Sequence, residues 1–368
     1  MTKRTLLVLP LALFFAPSLF FWGRHASAQQ ATPAADTKTA VPTPTPVIDE
    51  EEGVINVDTE TVNVLFTAQD KSRRLLLGLK PENIRVLENG QPQAITSFTK
   101  QIDLPLSLAI LIDTSLSQER TLPEEKAAAM SFLESVVRPT KDEVSIISFT
   151  GESTLEQGMT NNMTRLRRAV DRVQFIPPSS YIGGGVVANG GGGVPGTPPI
   201  SGDNQRTAAS TALWDAVWVT ADEVLGPAPE KTRRAIILLT DGDDTFSRKK
   251  LDEAIQAALK AEAIIYSIGI GDNYQYRVNE GALKKISEST GGRAYFPRDE
   301  SELRQAFKQI QEEMRSQYLI AYEPSNQVLD GSYRKIEIQL ADPAMQKEKV
   351  RITHRQGYFA KTEKPAKK

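Results

Sequence analysis

A carboxylate and two hydroxyls at alternate positions follow an uncharged, mostly apolar run in the first third of the chain. The run is Leu106–Ile112, and the polar residues are Asp113, Ser115 and Ser117. Such runs are typical of strands buried on both faces of a parallel sheet. Ligands bind at the carboxyl ends of such strands, so these side chains would present one charged and two neutral oxygens to one crevice. Hard divalent cations such as Mg²⁺ bind this kind of oxygen set and keep positions for water or a partner's oxygen.

Two later segments carry similar groups. Thr211 opens an apolar helix predicted over 207–225, and Asp241 ends a second apolar run over 235–240. Asp-x-Ser-x-Ser with this Thr and this Asp resembles the metal-ion-dependent adhesion site of the von Willebrand factor A domain family. The resemblance implies a divalent cation, Mg²⁺ foremost with Mn²⁺ or Ca²⁺ as alternatives, held by Asp113, Ser115, Ser117, Thr211 and Asp241.

One position departs from the family pattern. Family members often have Gly-Gly before the Thr, whereas Ala209 and Ser210 precede it here. Ser210 is therefore an alternative ligand to Thr211. After the third motif, Asp243 and Asp244 are expected to shape the loop or to lie in solvent near the site.

Strands and helices alternate over 104–316, which predicts an α/β, doubly wound, Rossmann-like domain. The flanks, 54–103 and 317–361, are rich in strand patterns, and we expect them to pack together as one β-sandwich-like domain into which the α/β domain is inserted. In the first flank, Ile84–Leu87 is expected to form a hairpin through Asn89-Gly90 with a strand over 94–98. This arrangement resembles a bacterial group of proteins related to the von Willebrand factor A family.

Three segments have compositions that cannot build a core. Residues 29–53 are Pro/Thr-rich and end in an acidic run, which predicts a disordered linker. Residues 177–205 are Gly-rich and predict a disordered surface insertion, with a flexible lid over the metal face as the alternative. Residues 362–368 are predicted to be a disordered tail.

The segment 1–28 carries the pattern of a secretory signal peptide. Lys3 and Arg4 precede an apolar stretch from Leu6 to Trp22, and Ala26–Ala28 fits a small-residue cleavage site. An uncleaved membrane anchor is the alternative, but Pro10 inside the stretch and the cleavage site favour removal. The sequence therefore predicts an exported protein, periplasmic or secreted, with no membrane span after cleavage.

Composition narrows the function classes. The chain has no cysteine and only two histidines, His25 and His354, which excludes thiolate chemistry and disfavours His-based catalysis or zinc sites. The formal net charge of −2 gives no sign of nucleic-acid binding.

These observations favour a non-enzymatic protein-binding or adhesion module. The resemblance implies that the partner donates an Asp or Glu carboxylate to the cation. A metal-dependent hydrolase or phosphotransferase is one alternative, and a structural module with a vestigial site is another.

Overall fold

The computed structural model describes residues 61–100, 104–175, 210–229, 231–271, 278–347 and 349–362. The predicted signal peptide, the predicted linker and the predicted insertion over 177–205 lie outside these ranges, as does the predicted tail from residue 363 onward. These predictions and the domain boundaries stay untested. None of the helices in the described ranges is both long and apolar enough to cross a membrane.

The described residues form strands in both flanks and in the middle of the chain. In chain order these are β1 (Val62–Gln69), β2 (Ile84–Glu88), β3 (Gln91–Gln93), β4 (Ile95–Lys100), β5 (Leu106–Asp113), β6 (Glu143–Phe149), β7 (Ser153–Thr160), β8 (Arg233–Thr240), β9 (Ala263–Gly269), β10 (Ala294–Tyr295), β11 (Tyr318–Tyr322), β12 (Tyr333–Leu340), β13 (Arg351–His354) and β14 (Gly357–Phe359).

The helices lie mainly between the strands of the middle segment. They are α1 (Leu122–Val136), α2 (Met163–Arg172), α3 (Leu213–Val219), α4 (Leu251–Lys260), α5 (Glu280–Thr290), α6 (Glu300–Arg315) and α7 (Pro343–Lys347). The helix α3 continues as a π-helical segment, Thr220–Leu225.

A six-stranded sheet organises the middle segment in the order β10-β9-β8-β5-β6-β7. Its strands are parallel except β7, which pairs antiparallel with β6. All eight residues of β5 are buried, because alternate side chains pack against helices on opposite faces. Leu108 and Ile110 pack with α1, α2 and α6, whereas Ala109 and Leu111 pack with α3, α4 and α5. The expected α/β fold class with a mostly parallel central sheet is confirmed.

The flanks build two four-stranded antiparallel sheets, and each sheet takes strands from both ends of the sequence. Their orders are β13-β1-β11-β4 and β14-β12-β2-β3. Residues of both sheets share one apolar core, including Phe66 and Tyr318 from the first and Val86 and Ile336 from the second. Each sheet of this sandwich therefore combines strands that precede the middle segment in the sequence with strands that follow it.

The expected hairpin in the first flank is wrong in its return strand. Asn89 and Gly90 form the turn with φ of 48° and 83°, and Gln91 pairs directly with Glu88. A two-residue turn makes the partner strand begin at once, so β3 is the return strand. The predicted strand over 94–98 corresponds to β4, which pairs with β11 in the other sheet.

A buried polar cluster joins the sandwich to the α/β domain. Arg293 forms an ion pair with Glu313 of α6 (Nη1 to Oε1, 3.2 Å), and its Nη2 donates to Gln69 of β1. Gln69 Nε2 and the Tyr295 hydroxyl also donate to Glu313 Oε1, at 3.0 and 3.1 Å. The Glu313 side chain is only 2% exposed. Because a buried charge must keep its partners, these bonds fix how β1 packs against α6.

Candidate metal centre

Asp113 is the last residue of β5 and is fully buried. Its Oδ1 accepts a hydrogen bond from the backbone N–H of Ser115 (2.9 Å), and its Oδ2 accepts one from the hydroxyl of Thr240 (2.5 Å). Thr240 ends β8, the parallel neighbour of β5, so both strands finish at the same edge of the sheet. The two bonds fix the orientation of the Asp113 carboxylate.

The two serines lie together on the loop after β5. Ser115 Oγ is 3.1 Å from Ser117 Oγ, and the Ser117 hydroxyl also hydrogen-bonds to the carboxylate of Asp241. The fully buried Gln118 supports this loop, because its Nε2 donates to the Ile270 carbonyl (3.1 Å) and lies 3.4 Å from Ser117 Oγ. The side chains of both serines are therefore held at the ends of the central strands.

Asp241 follows β8 and is 2% exposed. Its Oδ1 accepts the backbone N–H of Asp243 (3.0 Å), and its carbonyl accepts the N–H of Asn279 (2.7 Å). Gly242 has φ of +82°, and a Cβ there would lie 2.8 Å from Leu283 Cγ. The loop can therefore turn back over α5 only with glycine at this position.

Thr211 lies in the loop before α3 and is 6% exposed. Its N–H donates to Thr245 Oγ1 (2.8 Å), and its carbonyl accepts the N–H groups of Thr245 (2.9 Å) and Phe246 (3.0 Å). The expected helix over 207–225 is therefore wrong at its start. The backbone groups of Thr211 are used by the neighbouring loop, and the helix begins at Leu213. Residues 207–209 lie outside the described ranges.

The loops of Thr211 and Asp241 are joined by reciprocal bonds. Asp244 Oδ1 accepts the N–H of Leu213 at the start of α3 (2.9 Å), and Ser247 Oγ accepts the N–H of Trp214 (2.9 Å). In return, Asp215 accepts the N–H groups of residues 248 and 249. These contacts, and not a direct bond to Asp113, connect Thr211 with the other sequence-predicted residues. Ser210 is 8% exposed beside it and stays an alternative ligand.

The electrostatics of the centre fit a divalent cation. Burial, and then the negative charge of Asp241, raise the pKa of Asp113 to about 7, although Ser115 and Thr240 donate hydrogen bonds to it. Burial also raises the pKa of Asp241, and the nearby Asp243 carboxylate adds to this effect. A cation between the two carboxylates would stabilise both ionised forms. Two carboxylates with neighbouring hydroxyls are the oxygen donors that hard cations bind.

Sequence reasoning missed several residues around the centre. Thr240 and Gln118 hydrogen-bond to the candidate ligands Asp113 and Ser117, and neither role was predicted. Asp244 accepts a hydrogen bond from the start of α3, which agrees with the loop-shaping role expected for it. Glu125 of α1 is fully buried and close enough for Asp113 and Asp241 to influence its pKa. Its sequence position, in the first turn of a helix after Pro123, is typical of an exposed acid that complements the helix dipole. Only the three-dimensional packing distinguishes it.

The α/β domain also matches a known family. Residues 200–309 match the model of the von Willebrand factor type A domain. This match covers the second half of the α/β segment. The match includes Thr211 and Asp241, whereas Asp113 and the two serines precede it. No curated protein matches the chain in sequence.

Solved structures with a similar fold include proximal thread matrix protein 1 from the mussel byssus. Its TM-score is 0.44 at 16% identity, over 62% of this chain and 51% of the mussel protein, so the chain spans about half that protein's length. A further structure of the mussel protein, described with a zinc-occupied metal-ion-dependent adhesion site motif, gives a TM-score of 0.41 at 14% identity over 59% of this chain and 49% of that one. An aerotolerance-related membrane protein from Bacteroides fragilis gives 0.39 at 16% identity, over 57% of this chain and all of that one.

Proposed function

We propose that the protein is an exported, non-enzymatic binding module of a bacterium that holds a protein partner through a divalent cation. The observation that carries the proposal is the pair of buried carboxylates, Asp113 and Asp241, which meet at the ends of β5 and β8 among hydroxyl groups. Mg²⁺ is the expected cation, with Mn²⁺ or Ca²⁺ as alternatives, and the proposed ligands are Asp113, Ser115, Ser117, Thr211 and Asp241.

The partner's contribution follows from the ligand set. Only two of the five proposed ligands are anionic, and a hard cation bound to neutral hydroxyls retains a strong affinity for another anionic oxygen. An Asp or Glu carboxylate of a partner would supply it, so that the cation joins two proteins. The domain family supports this role, because the von Willebrand factor type A domain is a protein-interaction module.

The position of the one described histidine supports a role in binding over one in catalysis. His354 lies on β13 of the sandwich, where its Nε2 accepts the N–H of Ile338 (3.3 Å) and its side chain is half-buried. It therefore belongs to the packing of the sandwich. No observation in the described ranges favours the hydrolase or phosphotransferase alternative. Export to the periplasm or beyond is proposed from the sequence of segment 1–28.

Thermal unfolding of the mature protein in EDTA, and then in Mg²⁺, Mn²⁺ or Ca²⁺, tests the metal site. A cation at about 100 times its Kd, bound only by the folded state, stabilises it by about 2.7 kcal/mol. We expect this gain in the wild type and its loss in Asp113→Asn, which keeps the side-chain shape. Asp222→Ala removes an exposed acid on the π-helical segment and is the matched control. If no cation raises the wild-type midpoint, or if Asp113→Asn responds equally, the proposed metal site is wrong.

The partner is tested separately by affinity capture from an envelope fraction. A partner that donates a carboxylate to the cation should be retained in Mg²⁺, released by EDTA and absent with Asp113→Asn. A partner retained equally in EDTA would contradict a metal-bridged interaction even if the metal site itself is confirmed.

A further inference from the structure

A cavity of about 310 Å³ lies between the von Willebrand factor type A domain and the sandwich, and we call it the seam cavity. The sandwich contributes Asn63 and Leu65 of β1, Leu319 of β11 and Arg355; the α/β domain contributes residues from the beginnings of β8 and β9 and the end of α4. These strand beginnings lie at the opposite edge of the central sheet from Asp113. The seam cavity is therefore separate from the candidate metal centre.

Much of the wall is apolar. Leu65 and Leu319 are direct cross-strand partners and stay partly exposed, so they form an apolar surface on the sandwich side. Leu104, Leu259 and Ile264 line the cavity from the α/β domain. The volume lies at the lower end of the roughly 300–1,000 Å³ of small-ligand sites, which combine apolar walls with a few polar groups. The cavity therefore suits the apolar part of a small molecule.

The charged groups of the wall are mainly basic. Lys231, Arg233 and Arg355 line it, against the single acid Glu262. Glu262 is already paired with Arg355 (Oε1 to Nη1, 3.1 Å), and Arg355 Nη2 donates to the Asn63 carbonyl (2.7 Å). The Nε atom of Arg355, a residue 8% exposed, has no hydrogen-bond acceptor among the described residues.

Lys231 differs from the two arginines because it is exposed. It makes no ion pair or hydrogen bond with other residues of the described ranges, and it stands beside the buried Arg233 at the start of β8. Arg233 donates to the Met314 carbonyl (2.5 Å). Buried or partly buried cationic groups near an apolar wall are stabilised by a bound anion, since the low local dielectric strengthens the attraction.

We propose that the seam cavity binds a small amphipathic carboxylate, with its apolar chain against Leu65 and Leu319 and its carboxylate at the basic side near Lys231. Apolar burial supplies most of the affinity, and the basic groups select an anion over a neutral molecule of the same shape. Because both domains contribute to the wall, the ligand would stabilise their packing against each other. This site does not depend on the proposed metal-dependent function.

Octanoate is a suitable probe, measured by isothermal titration calorimetry on the mature protein. Octanol tests the need for the carboxylate, and acetate tests the need for the chain. All titrations contain EDTA, so that octanoate cannot bind through a cation at Asp113. We expect saturable octanoate binding with a stoichiometry of one, binding by octanol at least fivefold weaker, and none by acetate.

Lys231→Met keeps an unbranched side chain and removes the charge. Since Lys231 is exposed, we expect octanoate binding to weaken by about fivefold, while octanol binding is unchanged. Lys361→Met, at another exposed lysine outside the seam cavity, is the matched control and should bind octanoate as the wild type does. Absence of octanoate binding, equal binding of octanol, or equal binding by Lys231→Met would each overturn the proposal.

Discussion

Replacing Glu125 with Gln should raise the free energy of unfolding by an amount that increases with pH. Glu125 is fully buried in α1, and its Oε1 accepts the Thr121 hydroxyl (2.7 Å), while its Oε2 has no hydrogen-bond partner among the described residues. Burial first, and then the negative charges of Asp113 and Asp241, raise its pKa from 4.5 to about 8. Glutamine keeps the shape of the protonated acid and cannot ionise.

The size of the effect follows from proton linkage. The folded protein keeps a proton on Glu125 that the unfolded chain releases, so the contribution of Glu125 to wild-type stability falls as the pH rises from 4.5 to about 8. At about 1.36 kcal/mol per pKa unit, the raised pKa of Glu125 lowers the free energy of unfolding by about 1 kcal/mol at pH 5 and by about 3 kcal/mol at pH 7. Glu125→Gln removes this cost, so its stability relative to wild type should improve by about 2 kcal/mol between these two pH values.

Urea unfolding of both proteins at the two pH values, in EDTA throughout, measures this difference. Glu124→Gln removes the neighbouring exposed carboxyl of the same helical turn and is the matched control, which should keep the loss of stability with pH that the buried Glu125 causes. If the free energies of unfolding of wild type and Glu125→Gln change in parallel between pH 5 and pH 7, Glu125 is not held protonated in the fold. Its burial near the candidate metal centre would then have no electrostatic consequence.

Three further substitutions test how the site and the domain seam are held. Gly242→Ala places a Cβ at φ of +82° and 2.8 Å from a leucine side chain, and we expect a loss of about 1–3 kcal/mol in urea unfolding together with weaker Mg²⁺ binding. Asp244→Ala removes the acceptor of the Leu213 N–H. It should lower the free energy of unfolding by about 1 kcal/mol and weaken Mg²⁺ binding, measured by calorimetric titration. Unchanged Mg²⁺ affinity would show that the bond does not position the Thr211 loop. Arg293→Met leaves Glu313 buried without its ion-pair partner and should destabilise the protein by about 3–5 kcal/mol at pH 7; a loss below about 1 kcal/mol would contradict the role of this pair in joining the domains.

The central sheet could be predicted from sequence because its signal is local. The apolar runs that became β5 and β8 are buried on both faces, and each ends at one carboxylate, Asp113 or Asp241. The rule that parallel strands end at one edge then predicts that these acids lie close together. No knowledge of side-chain packing was needed for this step.

Other features depend on packing or on distant partners. β7 was missed because it is an exposed edge strand without clear alternation, and Leu155 on it is 57% exposed. β4 was placed in the wrong hairpin because its partner β11 follows the whole α/β domain in the sequence. The bonds of Asp244 to the start of α3 likewise join residues of different loops, and nothing in either loop alone predicts them.

The candidate centre is ordered by the same burial that makes its charges costly. Thr240 and Ser115 hold Asp113 in one orientation, but burial and the charge of Asp241 raise its pKa from 3.8 to about 7. Glu125 adds a third acid to this poorly solvated region. A bound cation would offset the repulsion between the two aspartates. Metal binding and fold stability are therefore expected to be linked, since a bound positive charge would stabilise the ionised forms of these buried acids.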